Sequence, residues 1–244
     1  MHKLYQELAY LWPLLSPPED YEPEAVAIKS VIDRYLKRNG EALPVLVEMG
    51  AGGGHTLSHL AGEFELLAVD IAQPMLVNCS LICPEATTIL GDMRTIDLGR
   101  QVDVVLIHDA VDYMLTPTDV KQAITNAAKH LKPSGLLIVA PTYTTDSFED
   151  GQSISDEHED RQLQVAFTSK VDRASDAPNQ FLMQMVFDIT ENGQTTRLAD
   201  EHCCGLFSES DWLDWIKSAG MQTHIIEELE EHDHMPWHGY VGIK

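Results

Sequence analysis

Apolar runs and amphipathic stretches alternate along the first 140 residues. Short runs rich in Val, Leu and Ile lie at 44–49, 65–70, 86–90, 102–108 and 136–140. The run 102–108 is continuously apolar, as expected for a buried parallel sheet. Between them, residues 23–38, 73–82 and 118–131 read as helices. In the first, Ala25, Ile28, Ile32 and Tyr35 share a face, Pro23 suits the first turn and Asn39-Gly40 ends it. In the third, Val120, Ile124, Ala127, Ala128 and Leu131 form the stripe. Residues 2–15 carry Leu4, Leu8, Leu11 and Leu15 at helical spacing, and Pro13, Pro17 and Pro18 break the segment up. Strand–helix alternation of this kind predicts an α/β fold with a doubly wound, mostly parallel sheet.

Beyond residue 140 the pattern changes. Residues 141–160 are polar and acidic without a period, whereas 161–171, 181–190 and 194–204 read as three strands with Asn192-Gly193 as a hairpin turn. Three strands without intervening helices predict a small antiparallel β layer, an insertion spanning 141–206 that roofs the substrate site. Ser208 and Asp211 form a capping box for a helix that Gly220 ends, with Phe207 and Trp212 as its hydrophobic staple. Two last strands are expected at 222–229 and 237–243. Without internal repeats or a low-complexity linker, residues 1–244 read as a single domain.

The formal net charge is −23. It speaks against a nucleic-acid partner, which needs clustered Lys and Arg, and favours a cationic amine as substrate; it also serves solubility alone. Nothing approaches a membrane span or a secretory leader, so a cytoplasmic protein with no membrane partner is expected. Cys79, Cys83, Cys203 and Cys204 lack C-x-x-C spacing and read as free thiols. Homodimerisation stays open.

The chemistry concentrates where the run 45–49 meets Gly50-Ala51-Gly52-Gly53-Gly54-His55. A strand, a glycine loop and a helix-compatible segment in that order let backbone approach a ligand closely. Position 55 is His, so the string departs from G-x-G-x-x-G. Glu48 stands at the mouth of the loop, where a dinucleotide would set its pyrophosphate. Two like charges about 5 Å apart at an effective dielectric of about 20 repel by roughly 3 kcal/mol. With no Tyr-x-x-x-Lys pair after the fourth strand, a nicotinamide oxidoreductase is disfavoured.

The succession LVEMGAGGGHT (46–56), LAVDIAQPML (67–76), GDMRTIDLGRQVDVVLIHDAVDYM (91–114) and LKPSGLLIV (131–139) resembles the class I S-adenosylmethionine (SAM)-dependent methyltransferases. More loosely, the N-terminal segment, the insertion and DEHCCGLFSESDWLDWIKSAG are similar to the TDP-aminosugar N-methyltransferase group. The resemblance implies a seven-stranded Rossmann-like methyltransferase sheet, SAM as cofactor and a small-molecule methyl acceptor, with an amine of a sugar or related metabolite in view. A SAM-binding protein without catalysis is the alternative. The resemblance places Glu48 and Gly50 near the methionine part of SAM, where its ammonium would be attracted, and Gly52 near the ribose. Asp70, at the end of the second strand, accepts the ribose hydroxyls. Ile71 and Met75 contact the adenine face, Met75 serving equally as core filler; Asp92 and the Met93 amide meet the adenine edge. His108 borders the methionine moiety through its backbone. Residues 1–22 act as an N-terminal lid that brings Tyr5 and Tyr10 over the cofactor, with the alignment between the two open.

Methyl transfer from a sulfonium is an in-line displacement that needs positioning and a neutral nucleophile. Asp109, Asp112, His158 and His202 are candidates to take a proton from an amine, with His202 favoured because it lies in the roofing insertion. Tyr113 sits near the methyl group or packs under the loop. Glu227-Glu228-Leu229-Glu230-Glu231-His232-Asp233-His234 with His238 has zinc-type ligands, but an acidic run at a strand end is ordinarily a solvated turn, and no metal is expected.

Overall fold

A computed structural model describes residues 2–37, 42–160, 163–226 and 239–244. Five parallel strands, β1 (Val45–Met49), β2 (Glu65–Asp70), β3 (Thr87–Leu90), β4 (Val102–Ile107) and β5 (Leu131–Val139), join β10 (Gln222–Ile226) and β11 (Gly239–Ile243). The sheet order is β10-β11-β5-β4-β1-β2-β3, with only β11 antiparallel to its neighbours. Helices α2 (Glu22–Tyr35), α4 (Gln73–Ile82), α5 (Pro117–His130) and α6 (Glu209–Ser218) cover its faces; α1 (Trp12–Leu15) and α3 (His55–Ser58) are single turns.

Side chains on successive strand residues point to opposite faces, and β1 divides accordingly. Val45, Val47 and Met49 pack with Val120 and Ile124 of α5 and with Trp212 and Ile216 of α6. Leu46 packs on the other face with Ile28, Val31 and Ile32 of α2 and with Leu57. Ser208 caps α6 in a reciprocal box with Asp211, and Phe207 lies 6.0 Å from Trp212, ring centroid to centroid, as the staple requires.

The layer after β5 is a second sheet in which β6 (Ser153–Glu159), β7 (Leu163–Arg173), β8 (Gln180–Glu191) and β9 (Gln194–Gly205) pair antiparallel in order. It has four strands where three were expected. The polar stretch to residue 160 supplies β6, an exposed edge strand held by backbone pairing to β7, and edge pairing needs no hydrophobic period. β5 likewise starts at Leu131 rather than 136. Its pairing with β4 shifts register between Val102 and Val104, and Ser134 takes a positive φ of 63° there, an irregularity that a Lys-Pro-Ser-Gly string disguises as a turn. The expected helix end at Asn39-Gly40 and the acidic run 227–234 with His238 lie outside the described residues. Among the described residues no helix is long and apolar enough to cross a membrane.

The N-terminal segment joins the two sheets. Leu4, Leu8 and Leu11 are buried against Val165, Met185, Phe187 and Ile189 of the second sheet, while Ala9 packs on Ala72 and Met75 at the start of α4, beside the first. Three polar links fasten it: Leu4 N–H donates to Asp200 Oδ2 (2.8 Å), Lys3 Nζ to the Ala199 carbonyl (2.8 Å), and Asn78 Nδ2 to the Ala9 carbonyl (2.7 Å). Truncating Leu8 to Ala removes the central apolar contact, a change that costs about 2–5 kcal/mol at buried sites. Hydrogen exchange should then accelerate across residues 4–15 while β1, β4 and β5 keep their protection; equal acceleration everywhere would show that the segment is not an independent latch.

Candidate active site

The carboxyl ends of β1, β2 and β4 open into a cavity of about 420 Å³ beneath the N-terminal segment. Open α/β sheets bind ligands at this edge, outside the switch in strand order, and here the switch lies between β1 and β4. Gly50 has a φ of 92°, and a Cβ on it would stand 2.2 Å from the Ala110 Cβ; at Gly54, with φ 75°, a Cβ would strike Cys79 Sγ at 2.5 Å. These glycines let the loop fold tightly against the 109–113 turn and α4.

Asp70 closes the loop. Its Oδ2 accepts the Gly52 N–H at 2.8 Å and its Oδ1 the Ala72 N–H at 2.7 Å. Burial raises its pKa, with those bonds opposing. Each carboxylate oxygen keeps acceptor capacity toward the cavity. Met75 packs beneath Gly52, and exposed Ile71 and buried Met93 line the same wall. Asp92 is committed to Arg94, which donates from Nε (3.0 and 3.1 Å) and Nη2 (2.6 Å) to it and from Nη1 to Asp119 (2.6 Å). The guanidinium holds Asp92 below the usual carboxylate range.

Glu48 forms the floor. Its side chain is buried and its Oε2 has no hydrogen-bond partner in the protein. Burial drives its pKa well up; His108 opposes this, and Glu24, Asp109 and Asp70 add to it. His108 Nε2 lies 3.2 Å from Glu24 Oε1 and its Nδ1 3.5 Å from Asp109 Oδ1. Burial alone would lower its pKa, but Glu24 and Asp109 hold it at about 9. A buried acceptor without a donor is costly, so a ligand bringing an ammonium to Glu48 gains what the fold leaves unsatisfied. Trp12, Tyr21 and His55 form the wall beside it, with Trp12 Nε1 donating to His55 Nδ1 at 3.3 Å. Burial lowers His55 to about 4.

A chain of hydrogen bonds runs from the cavity into the second sheet. Tyr5 Oη and Tyr113 Oη are 2.8 Å apart, Tyr113 Oη is 2.7 Å from His202 Nδ1, and His202 Nε2 is 3.1 Å from Asp200 Oδ2. His202 is buried behind Tyr113 and does not itself line the cavity. Burial brings it to about 4, so its ring is neutral at physiological pH. The His2 ring lies over it, centroids 3.9 Å apart.

Of the residues singled out in the sequence, Tyr5, Glu48, Gly50, Gly52, Asp70, Ile71, Met75, Asp92, Met93, His108, Asp109 and Tyr113 line one cavity. Tyr10 does not: it is 59% exposed on the far side of its turn. Tyr21 and Trp12 are the N-terminal aromatic residues that join Tyr5. Asp112 points away, accepting the Thr142 N–H at 3.2 Å, and burial raises it to about 8. His158 sits on β6, outside the cavity lining. Glu24 and Arg94 went unread because each acts through another residue. Asp200 was hidden as one acid among many, although its two-residue spacing from His202 on a strand puts both on one face.

Residues 46–135 match the family described as a methyltransferase domain. A dTDP-3-amino-3,4,6-trideoxy-alpha-D-glucopyranose N,N-dimethyltransferase of Streptomyces venezuelae is 28% identical over 212 residues, 86% of each chain. The crystal structure of Streptomyces venezuelae DesVI superposes with a TM-score of 0.81 at 25% identity, over 97% of this chain and 95% of that one. The sugar N-methyltransferase KedS8 of a Streptoalloteichus species shares the fold, with a TM-score of 0.83 at 21% identity over 98% and 92%. Through these likenesses the chain carries a SAM-dependent methyltransferase domain and is similar over most of its length to sugar N-methyltransferases.

Proposed function

We propose that this enzyme methylates an amine of a small sugar-like or related metabolite. Asp70 receives the ribose hydroxyls, Asp92 and the Met93 amide the adenine edge, and Glu48 the methionine ammonium. Bound SAM supplies a methyl group on a sulfonium, an electrophile that needs no metal. The hydrogen-bonded row Tyr5–Tyr113–His202–Asp200 carries the reading, because it leads from the cavity to a buried imidazole whose Nδ1 meets the Tyr113 hydroxyl and whose Nε2 is held by Asp200.

The amine nitrogen gives its lone pair to the methyl carbon as the C–S bond breaks, and sulfur keeps that bonding pair as a thioether. Tyr113 Oη accepts the proton the nitrogen must lose and passes its own to His202 Nδ1. Asp200 fixes the ring through Nε2–H and stabilises the imidazolium, the role a carboxylate plays behind histidine in hydrolytic triads. Asp109, 53% exposed beside Tyr113, is the carboxylate that meets an arriving ammonium. The four unpaired cysteines are consistent with a cytoplasmic setting.

Calorimetric titration with SAM and S-adenosylhomocysteine should give micromolar affinity that Asp70→Ala weakens by about 100-fold or more, since two charge-assisted bonds to the ribose are lost. Equal affinity in folded variant and parent would remove the ribose role. Tyr113→Phe and His202→Gln should each lower kcat by about 100-fold with little change in SAM affinity, the range for loss of a proton acceptor; unchanged kcat across the amine's titration range would sink the relay.

Stability should fall as pH rises from neutrality toward 9. His108, held at about 9 in the fold, binds a proton that the unfolded chain has released above about 6.5. Asp112, at about 8, keeps a proton that the unfolded chain lost near 4. Both therefore lose stability with rising pH. Thermal melting from pH 6.5 to 9 checks this, and Asp112→Asn should flatten the slope.

A further inference from the structure

We infer that His2, Asp200 and His202 form a binding site for a divalent transition ion of the zinc type, which clasps the N-terminal segment to β9. The site needs nothing from the methyltransferase reading above, and its ion is a fastener, not a catalyst.

Asp200 and His202 stand two residues apart on β9, so both side chains leave the same face of the strand. His2 reaches that face from the opposite end of the sequence. One ligand atom from each of the three lies within 4.8 Å of the other two. The His2 and His202 rings are 3.9 Å apart between centroids and tilted by 43°, and His202 Nε2 is 3.1 Å from Asp200 Oδ2. Ligands held at about 2.0–2.2 Å in a tetrahedron stand roughly 3.4 Å from one another. His202 and Asp200 are therefore already spaced as two ligands of one ion. His2 is half-buried and lines the cavity, so its ring can turn toward them without disturbing either core. Three protein ligands leave the fourth position to water.

Imidazole and carboxylate suit divalent zinc, cobalt and nickel, and a formal net charge of −23 favours any cation. The surroundings have the form of a metal site's outer shell. A ligating histidine ordinarily donates its second ring N–H to an oxygen that fixes the ring, and His202 Nδ1 meets Tyr113 Oη at 2.7 Å. Asp200 is held in turn by the Leu4 N–H at its Oδ2 (2.8 Å) and by the Glu201 N–H at its Oδ1 (3.0 Å). A bound ion takes the Nε2 lone pair, so the ring's one proton moves from Nε2 to Nδ1. Tyr113 Oη then accepts from Nδ1 and donates to Tyr5 Oη. The relay proposed above needs Nδ1 free to accept, so an occupied clasp and a working relay exclude each other, an exclusion that holds only where the relay operates.

The untagged chain of 244 residues is titrated calorimetrically with zinc chloride, and with cobalt(II) followed by its visible d–d absorption. One ion per chain should bind with a dissociation constant of about 10 µM or below, with cobalt bands of nitrogen and oxygen coordination. His2→Ala, at a half-buried position, should weaken zinc binding by at least about 10-fold, and His202→Gln should do the same. Zinc should slow hydrogen exchange across residues 4–8 of the parent and leave His2→Ala unchanged. The histidines of the acidic run 227–234 are the competing source, so a His232→Gln, His234→Gln double variant should bind zinc as the parent does. No saturable binding by the folded parent, equal affinity in His2→Ala, or loss of binding in the His232, His234 double variant would each overturn the inference.

Discussion

The burial of Leu4, Leu8 and Leu11 against β7 and β8 is the contact on which the site depends. Without it the parallel sheet still has its two cores, but the cavity loses its cover. Tyr5, Trp12 and Tyr21 all arrive on the segment those leucines pin down. Tyr5 reaches Tyr113 only because its neighbour Leu4 is fastened twice, by packing and by its N–H on Asp200. That carboxylate also orients His202, so one acid both anchors the lid and sets the tautomer of the buried ring. One carboxylate therefore ties the N-terminal segment to the Tyr5–Tyr113–His202 row.

The electrostatics follow from this enclosure. Water excluded from Glu48, His108 and Glu24 leaves two acids to share one cationic ring, and Glu48 Oε2 is the acceptor that remains unsatisfied. Fully satisfied buried networks rigidify a site, whereas a partly satisfied one stores a demand for a partner. The cavity floor thus lacks a donor at Glu48 Oε2.

Much of this was legible in residue order. Parallel strands announced themselves as short runs rich in Val, Leu and Ile, and the Ser208–Asp211 cap and Asn192-Gly193 turn act locally, so spacing alone located them. β6 was illegible because its stability comes from hydrogen bonds to β7 rather than from burial. Tyr10 and Tyr21 show a second limit: Pro13, Pro17 and Pro18 break the segment into short turns, and helical spacing no longer tells which aromatic faces inward. Glu24 and Asp200 show a third, since an acid 26 residues before the glycine loop or one on the last roof strand joins the site only through tertiary packing.

The exposed edge of β6 has a consequence beyond the single molecule. Such a strand offers free backbone groups to any neighbour that can pair with them. Glu157 and Glu159 share one face of it and Asp156 the other, and two copies meeting edge to edge would bring those acids together. The acidity of the chain thus also bears on how such edges meet. Because screening shrinks the reach of such repulsion to about 3 Å near 1 M salt, added salt weakens the barrier to pairing along that edge.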